Sequence, residues 1–352
     1  MATTLATTGG WNRLRAVKAV MRPLRGARFS IPTPGLDRLR RGLARYHLKD
    51  RLLAWWEGYE YRPPPPEEEE APPPAPAITA SAEPFEALDA QAVRGWSDSR
   101  IALVQALFGD GFVSAGGEQA VRAMIKPLAL DESMSVVEIG AGLGGVARLI
   151  AKETGAWVTG YEEDVALAAA AAEISTRLGL GRKAMVEQGC LTEARIRHHT
   201  IDAVVSKEAI YRVADKEALF AAVQKALKPG GQIMFKDFML GERGGNGPAL
   251  AAWTELEGRS LHFWEVDRTR AALKNLGFRV PIAEDVSDEY RHHVLEAFSE
   301  LADMLRRGEV DEALRPWAIS EGDLWARRVA ALESGEVKVY RVYGNLPEAP
   351  PE

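Results

Sequence analysis

Cysteine is almost absent from this chain: with Cys190 alone among 352 residues no intrachain disulfide can form, which points to a reducing compartment. Long apolar runs are missing too, since no stretch approaches the ~20 residues a helix needs to span a bilayer. Acids are missing from residues 1–36, which are rich in Arg and Thr, as an organellar transit segment or a bacterial basic helix would be. No G-x-S-x-G elbow and no P-loop occur, so serine-esterase and P-loop hydrolase chemistry find no support. The histidines include two adjacent pairs, His198-His199 and His292-His293, whose neighbouring side chains diverge, so no metal site is expected.

The rest of the composition, 46% hydrophobic and 27% charged, allows a substantial buried core. The net charge of −6 conceals an asymmetry: residues 1–62 hold 13 Lys/Arg against 4 Asp/Glu, so the remainder is strongly acidic. In that basic part Leu36, Leu39, Leu43, Leu52 and Leu53 alternate with Arg38, Arg40, Arg41, Arg45, Lys49 and Arg51, ahead of Trp55, Trp56, Tyr59 and Tyr61. The pattern predicts a basic amphipathic helix with an aromatic end; Trp11, Leu14, Val17 and Met21 predict a shorter one. Residues 11–61 therefore suit peripheral contact with an anionic membrane surface, or docking on the body or a partner. Nucleic acid is not expected, because the body is acidic and carries no RNA-binding motif. The expected location is the cytoplasm, with membrane association and organellar targeting left open. Oligomeric state is not legible.

Pro63 to Pro66, then Glu67 to Glu70, then further Pro and Ala cannot bury a core, which makes residues 62–83 a linker. The organisation expected is an amphipathic extension over 1–61, the linker, an α/β domain over 84–346 and a tail over 347–352. Within the domain, helices are expected near 97–107 and 118–125, then strands at 135–139, 157–161, 184–187, 203–206 and 232–235, with helices at 144–153, 165–178 and 216–227. Apolar strands alternating with helices indicate a parallel sheet covered on both faces, with the ligand at the strands' C-terminal ends. Residues 280–286 and 337–343 supply the last, partly antiparallel strands, and the helical stretch between them, about 288–332, is read as a cap.

Residues 135–145 are the most informative. An apolar strand ends in Glu138 and Ile139 and opens through Gly140, Gly142 and Gly144 into a helix, a turn that lets a ligand approach the backbone and the helix N-terminus. Gly140, Gly142 and Gly145 also satisfy the dinucleotide fingerprint, with Glu162 where a ribose-binding acid belongs. Glu138, just before the glycines, would accept from an ammonium and oppose a pyrophosphate. A late Leu227-Lys228-Pro229-Gly230-Gly231 turn precedes the fifth strand. Together these resemble the class I S-adenosylmethionine (SAM)-dependent methyltransferases. That resemblance implies a Rossmann-like α/β fold with a mostly parallel seven-stranded sheet, its last strand antiparallel, and SAM as cofactor.

Phe108-Gly109-Asp110-Gly111-Phe112-Val113-Ser114-Ala115-Gly116-Gly117, Ser206-Lys207-Glu208-Ala209-Ile210, Asp285-Val286-Ser287-Asp288 and Trp325-Ala326-Arg327-Arg328 look similar to phosphoethanolamine N-methyltransferases. The resemblance places Val113, Ser114, Glu138, Gly140, Gly142, Gly144, Glu162, Glu163, Cys190, Leu191, Ser206 and Lys207 around SAM. Glu162 is expected on the ribose hydroxyls, and Cys190 departs from the acid usual in its turn. At the reaction centre the departures are larger: where the family pairs a Tyr with a His, this chain has Trp96 and Arg212, and Phe238 replaces a substrate-facing Tyr. Glu208 remains an acid, while Arg259 and Arg328 remain basic where the family contacts the substrate phosphate. With Arg212 they suggest an anion-binding pocket.

The implied activity is methyl transfer to N or S of a small, anionic acceptor, in which the protein aligns nucleophile, methyl and sulfur and excludes water. Without the Tyr/His pair, a thioether carboxylate such as a methylthio-hydroxy acid fits, because its nucleophile needs no base; a phosphobase is the other candidate. A SAM-binding pseudoenzyme that displays its N-terminal helices to a membrane or partner is the alternative from outside enzymology.

Overall fold

The computed structural model describes residues 95–194 and 196–348. The amphipathic extension, the linker and the last four residues lie outside them. Two helices lead in, α1 (Asp98–Phe108) and α2 (Gly117–Ile125). The chain then alternates through β1 (Ser135–Ile139), α3 (Gly145–Thr154), β2 (Trp157–Glu162), α4 (Val165–Arg177), β3 (Ala184–Gln188), β4 (Ile201–Lys207), α5 (Lys216–Ala226) and β5 (Leu227–Leu240). It ends with α6 (Pro248–Glu257), α7 (Val266–Asn275), β6 (Arg279–Asp285), α8 (Ser287–Arg306), α9 (Arg315–Glu333) and β7 (Val337–Asn345).

One seven-stranded sheet runs in the order β3-β2-β1-β4-β5-β7-β6. The first five strands pair in parallel, and β7 inserts antiparallel between β5 and β6. The order reverses between β1 and β4, so the cleft at their C-terminal ends is the natural ligand position. Both faces are covered, as the apolar strands demand: along β4, Ala203 and Val205 join the core under α1, α3, α8 and α9, while Val204 joins the opposite core under α5 and α7.

The fifth strand differs from expectation. The Leu-Lys-Pro-Gly-Gly segment belongs to β5 rather than preceding it, because Leu227 pairs with Ile201 and Gln232 with Ala203, so the residues between them form a wide bulge. Gly230, at φ +76°, makes that excursion possible. Its amide donates to Pro347 O at 2.9 Å, tying the bulge to the chain that leaves β7.

The helices expected to form the cap are α8 and α9. They pack with α1 and α6: Phe108 of α1 lies 5.0 Å from Trp325 of α9 and 6.3 Å from Phe298 of α8. Glu336 caps the start of α6 from outside, its carboxylate accepting from the amides of Ala249 and Leu250. No helix among the described residues is long and apolar enough to cross a membrane.

Candidate active site

The glycine turn between β1 and α3 is left-handed at all three positions, with φ +69° at Gly140, +54° at Gly142 and +75° at Gly144. A Cβ at Gly140 would collide with that of Ala209, and one at Gly142 would lie 3.1 Å from Val113 Cγ2, so the turn is a cradle that side chains would fill. Glu162, at the end of β2, closes it: Oε2 accepts from the Gly142 amide at 2.8 Å and Oε1 from the Asp164 amide at 2.9 Å. Glu163 beside it is exposed.

Glu138 is only 1% exposed, and its Oε2 accepts from the Ala147 amide of α3 at 3.0 Å. Burial pushes its carboxyl up to about 8, only partly offset by that amide and by Arg148. Burial also raises the Glu162 carboxyl. Two acids whose carboxyls burial raises, beside a glycine cradle, would be favoured as carboxylates by a cationic nucleoside ligand such as SAM. Glu162 would hold the ribose, and the α3 N-terminus and Glu138 the methionine end. Leu191, buried beside Ile139, supplies an apolar wall, and Cys190 is a free thiol 3.1 Å from Thr192 Oγ1. Ser206 hydroxyl donates to Ile139 O at 2.9 Å and fastens β4 to β1.

Beyond β4 the chain makes its sharpest departure. Glu208 is buried and left-handed at φ +59°, a conformation uncommon outside glycine. The strain is held by Asp237, whose carboxylate accepts from the amides of Ala209, Ile210 and Tyr211 at 3.1, 2.6 and 3.3 Å, and by Glu208 N donating to Lys236 O at 2.8 Å. The result aims the Glu208 carboxylate at Lys207 Nζ, 2.9 Å away, and at the Tyr290 hydroxyl of α8, which donates to Oε2 at 2.6 Å. Lys207 also donates to Ser114 Oγ, joining this group to the Phe108 to Gly117 segment. Burial favours the neutral acid, but Lys207 and Lys236 overcome it and hold the Glu208 carboxyl below its ordinary range.

A second cluster gathers the arginines. Arg328 of α9 lies 2.7 Å from Glu257 Oε2, Arg212 lies 3.3 Å from Glu257 Oε1, and Arg212 Nε donates to Tyr211 OH at 2.9 Å. Aromatic rings fill the space between the clusters. Phe238 packs edge-on against Tyr290, Tyr211 and Trp253, with centroids 5.4, 5.2 and 5.0 Å away. Arg328 lies over Trp325 at 4.5 Å.

Of the residues expected at the reaction centre and acceptor end, the structure brings Glu208, Phe238, Arg212 and Arg328 into these two linked clusters. Trp96 lies under Arg100, 4.1 Å from its ring, and Arg100 pairs at 2.6 Å with Glu321, which also accepts from Trp325 Nε1 at 3.1 Å. Arg259 reaches Asp164 at 3.4 Å, next to Glu162. Sequence reasoning missed Tyr290, Glu257 and Asp237. Tyr290 stands two residues past the Asp285 to Asp288 motif, which was its only signal, whereas no motif marked Glu257.

Comparisons with known proteins agree with this fold. The profile of a methyltransferase domain family matches residues 116–281. Phosphoethanolamine N-methyltransferase 1 of Zea mays is 32% identical over 187 residues, which cover 52% of this chain and 36% of the maize protein. Sterol 24-C-methyltransferase of Saccharomyces cerevisiae is 30% identical over 157 residues, covering 44% of this chain and 41% of the yeast protein. The chain thus spans well under half the length of these relatives. In fold it is similar to Haemonchus contortus phosphoethanolamine N-methyltransferase 2, solved with phosphomonomethylethanolamine and S-adenosylhomocysteine: TM-score 0.62 at 20% identity, covering 72% of this chain and 59% of that one. With its sheet order and glycine cradle, the chain has the fold of the class I SAM-dependent methyltransferases, and its residues 116–281 match a methyltransferase domain family.

Proposed function

We propose that the protein transfers the methyl group of SAM to the nitrogen of a small amine whose other end is anionic, with a phosphobase of the phosphoethanolamine class as the acceptor. SAM supplies an activated methyl on a sulfonium, so the protein's task is alignment and exclusion of water. The observation that carries the reading is the two-ended site, with an ionised acid, Glu208, at one end and the Arg212–Arg328 pair at the other.

Positive charge moves onto the acceptor nitrogen as the new bond forms. A buried carboxylate at that point favours the change electrostatically, and it orients the amine by accepting its N–H bond. Tyr290 fixes the carboxylate's direction, taking over from the absent Tyr/His pair the job of ordering the amine end. The faces of Phe238, Tyr211 and Trp253 suit a methylated ammonium through cation–π attraction. The arginines hold the anionic end. The likeness to the maize and Haemonchus phosphoethanolamine N-methyltransferases supports the acceptor class.

Purified protein incubated with methyl-labelled SAM and phosphoethanolamine should yield the N-monomethyl product by mass spectrometry. Transfer to a methylthio-hydroxy acid instead would favour the thioether reading. SAM binding with no transfer to either acceptor would favour the scaffold.

A further inference from the structure

Lys236 lies on the face of β5 that also carries Phe238, two residues on, and is only 4% exposed. Its Nζ sits over the Tyr290 ring, 5.0 Å from the centre, and Tyr290 is the residue whose hydroxyl donates to Glu208. The Lys236 carbonyl accepts from the Glu208 amide at 2.8 Å, which fixes the two residues side by side. Lys207, its neighbour across the β4–β5 ladder, takes both Glu208 at 2.9 Å and Ser114. Lys236 Nζ is left with no hydrogen bond and no ion pair among the described residues.

A buried ammonium without an acceptor is costly, and losing its proton removes the cost. The surrounding charges favour the same change: β4 brings Lys207 and β7 brings Arg341 directly opposite. Glu208 and, from α8, the exposed Glu289 offset only part of this, so burial and then Lys207 bring the Lys236 ammonium down to about 8. Tyr290 and His293 complete the α8 side, and burial followed by Lys236 lowers the His293 imidazole, which keeps it neutral near pH ~7.

An amine acceptor arrives with a proton it must lose, because an ammonium has no electron pair with which to attack a methyl group. Glu208, held below its ordinary range, cannot keep that proton. We infer that Lys236, neutral when the acceptor binds, takes the proton, handed across the Glu208 carboxylate. One N–H bond of the ammonium breaks and an Nζ–H bond forms. The freed pair on the acceptor nitrogen then makes the bond to the methyl while the old bonding pair stays with sulfur, and Lys236 gives its proton to water after the product leaves. The inference rests on the amine acceptor proposed above and adds where its proton goes. Lys236 works through Glu208 and does not itself touch the acceptor.

The test follows single-turnover transfer from methyl-labelled SAM to phosphoethanolamine across pH with the full chain, as wild type and as Lys236→Met, with S-adenosylhomocysteine affinity measured alongside. The wild-type rate should rise with pH and level off, with its half-maximum at about 8. Lys236→Met should keep cofactor affinity within about threefold, be at least about a hundredfold slower near pH ~7, and approach the wild-type rate only near pH ~10, where the free amine loses its own proton. A variant with the wild-type profile, or one slowed equally at every pH, overturns the role of Lys236 and leaves the amine acceptor standing. A wild type inactive at every pH overturns the acceptor reading and the proton route together. Should the variant not fold, the wild-type profile decides alone: a half-maximum at about 8 supports the route, and one near ~10 overturns it.

Discussion

Tyr290 and Glu208 share a hydrogen bond of 2.6 Å although 82 positions separate them in the chain. The bond joins helix α8 to the strained turn after β4, so the cap contributes a residue to the cluster around Glu208. Tyr290→Phe keeps the ring packed on Phe238 and deletes only the hydroxyl. A hydrogen bond to a charged group contributes roughly 1.5–3 kcal/mol, so kcat should fall about tenfold or more while SAM affinity stays unchanged. Steady-state kinetics beside SAM calorimetry checks this, and an unaltered kcat would show that Glu208 needs no such partner.

The cofactor cradle responds to a single methyl group. Gly140→Ala places a Cβ against Ala209 at φ +69°. The strain should cost about 1–3 kcal/mol of stability, and SAM binding should be lost. Thermal melting with calorimetry on the same sample reads both, and retained SAM binding would contradict the placement of the cofactor at this turn.

Glu162 ties the cradle to β2 through Gly142 and Asp164. Glu162→Ala should weaken SAM binding by about tenfold to a hundredfold, since charge-assisted bonds to the cofactor and to both amides disappear together. An affinity unchanged from wild type would place the ribose elsewhere.

Acid should release the Glu257 cluster. Its carboxyl lies at about 2 in the folded protein against an ordinary 4.5, a depressed value. The contribution to stability is therefore complete above 4.5 and is lost as pH falls through about 2; the displacement is worth about 3 kcal/mol. Glu257→Gln should be less stable than wild type at pH 7 and converge on it towards pH 2. Denaturant melts across that range measure the difference, and parallel curves would show that the carboxylate is not coupled to the arginines.

The sheet and cradle were legible because both depend on local pattern. Apolar runs ending in glycine turns place β1, and an acid at the end of β2 needs no partner to be recognised. The Leu227 to Gly231 segment was read as a turn because Pro and Gly punctuate it; only its pairing with β4 shows it to be a bulge inside β5. The acceptor end was harder, because its contacts are long-range. Tyr290 reaches Glu208 from another element, and Glu257, with no motif around it, meets Arg328 71 residues away. Position alone named Trp96 and Arg259, and the structure adds their neighbours, Arg100 over the Trp96 ring and Asp164 beside Arg259.

The central claim is that Glu208 serves the methyl-accepting nitrogen. Single-turnover transfer from labelled SAM to phosphoethanolamine, by wild type and Glu208→Gln at saturating SAM, tests it most directly. The account predicts transfer by the wild type, slowed at least about a hundredfold in the variant, with SAM affinity preserved within about threefold. Equal rates in the two proteins, or no transfer by the wild type, would contradict it.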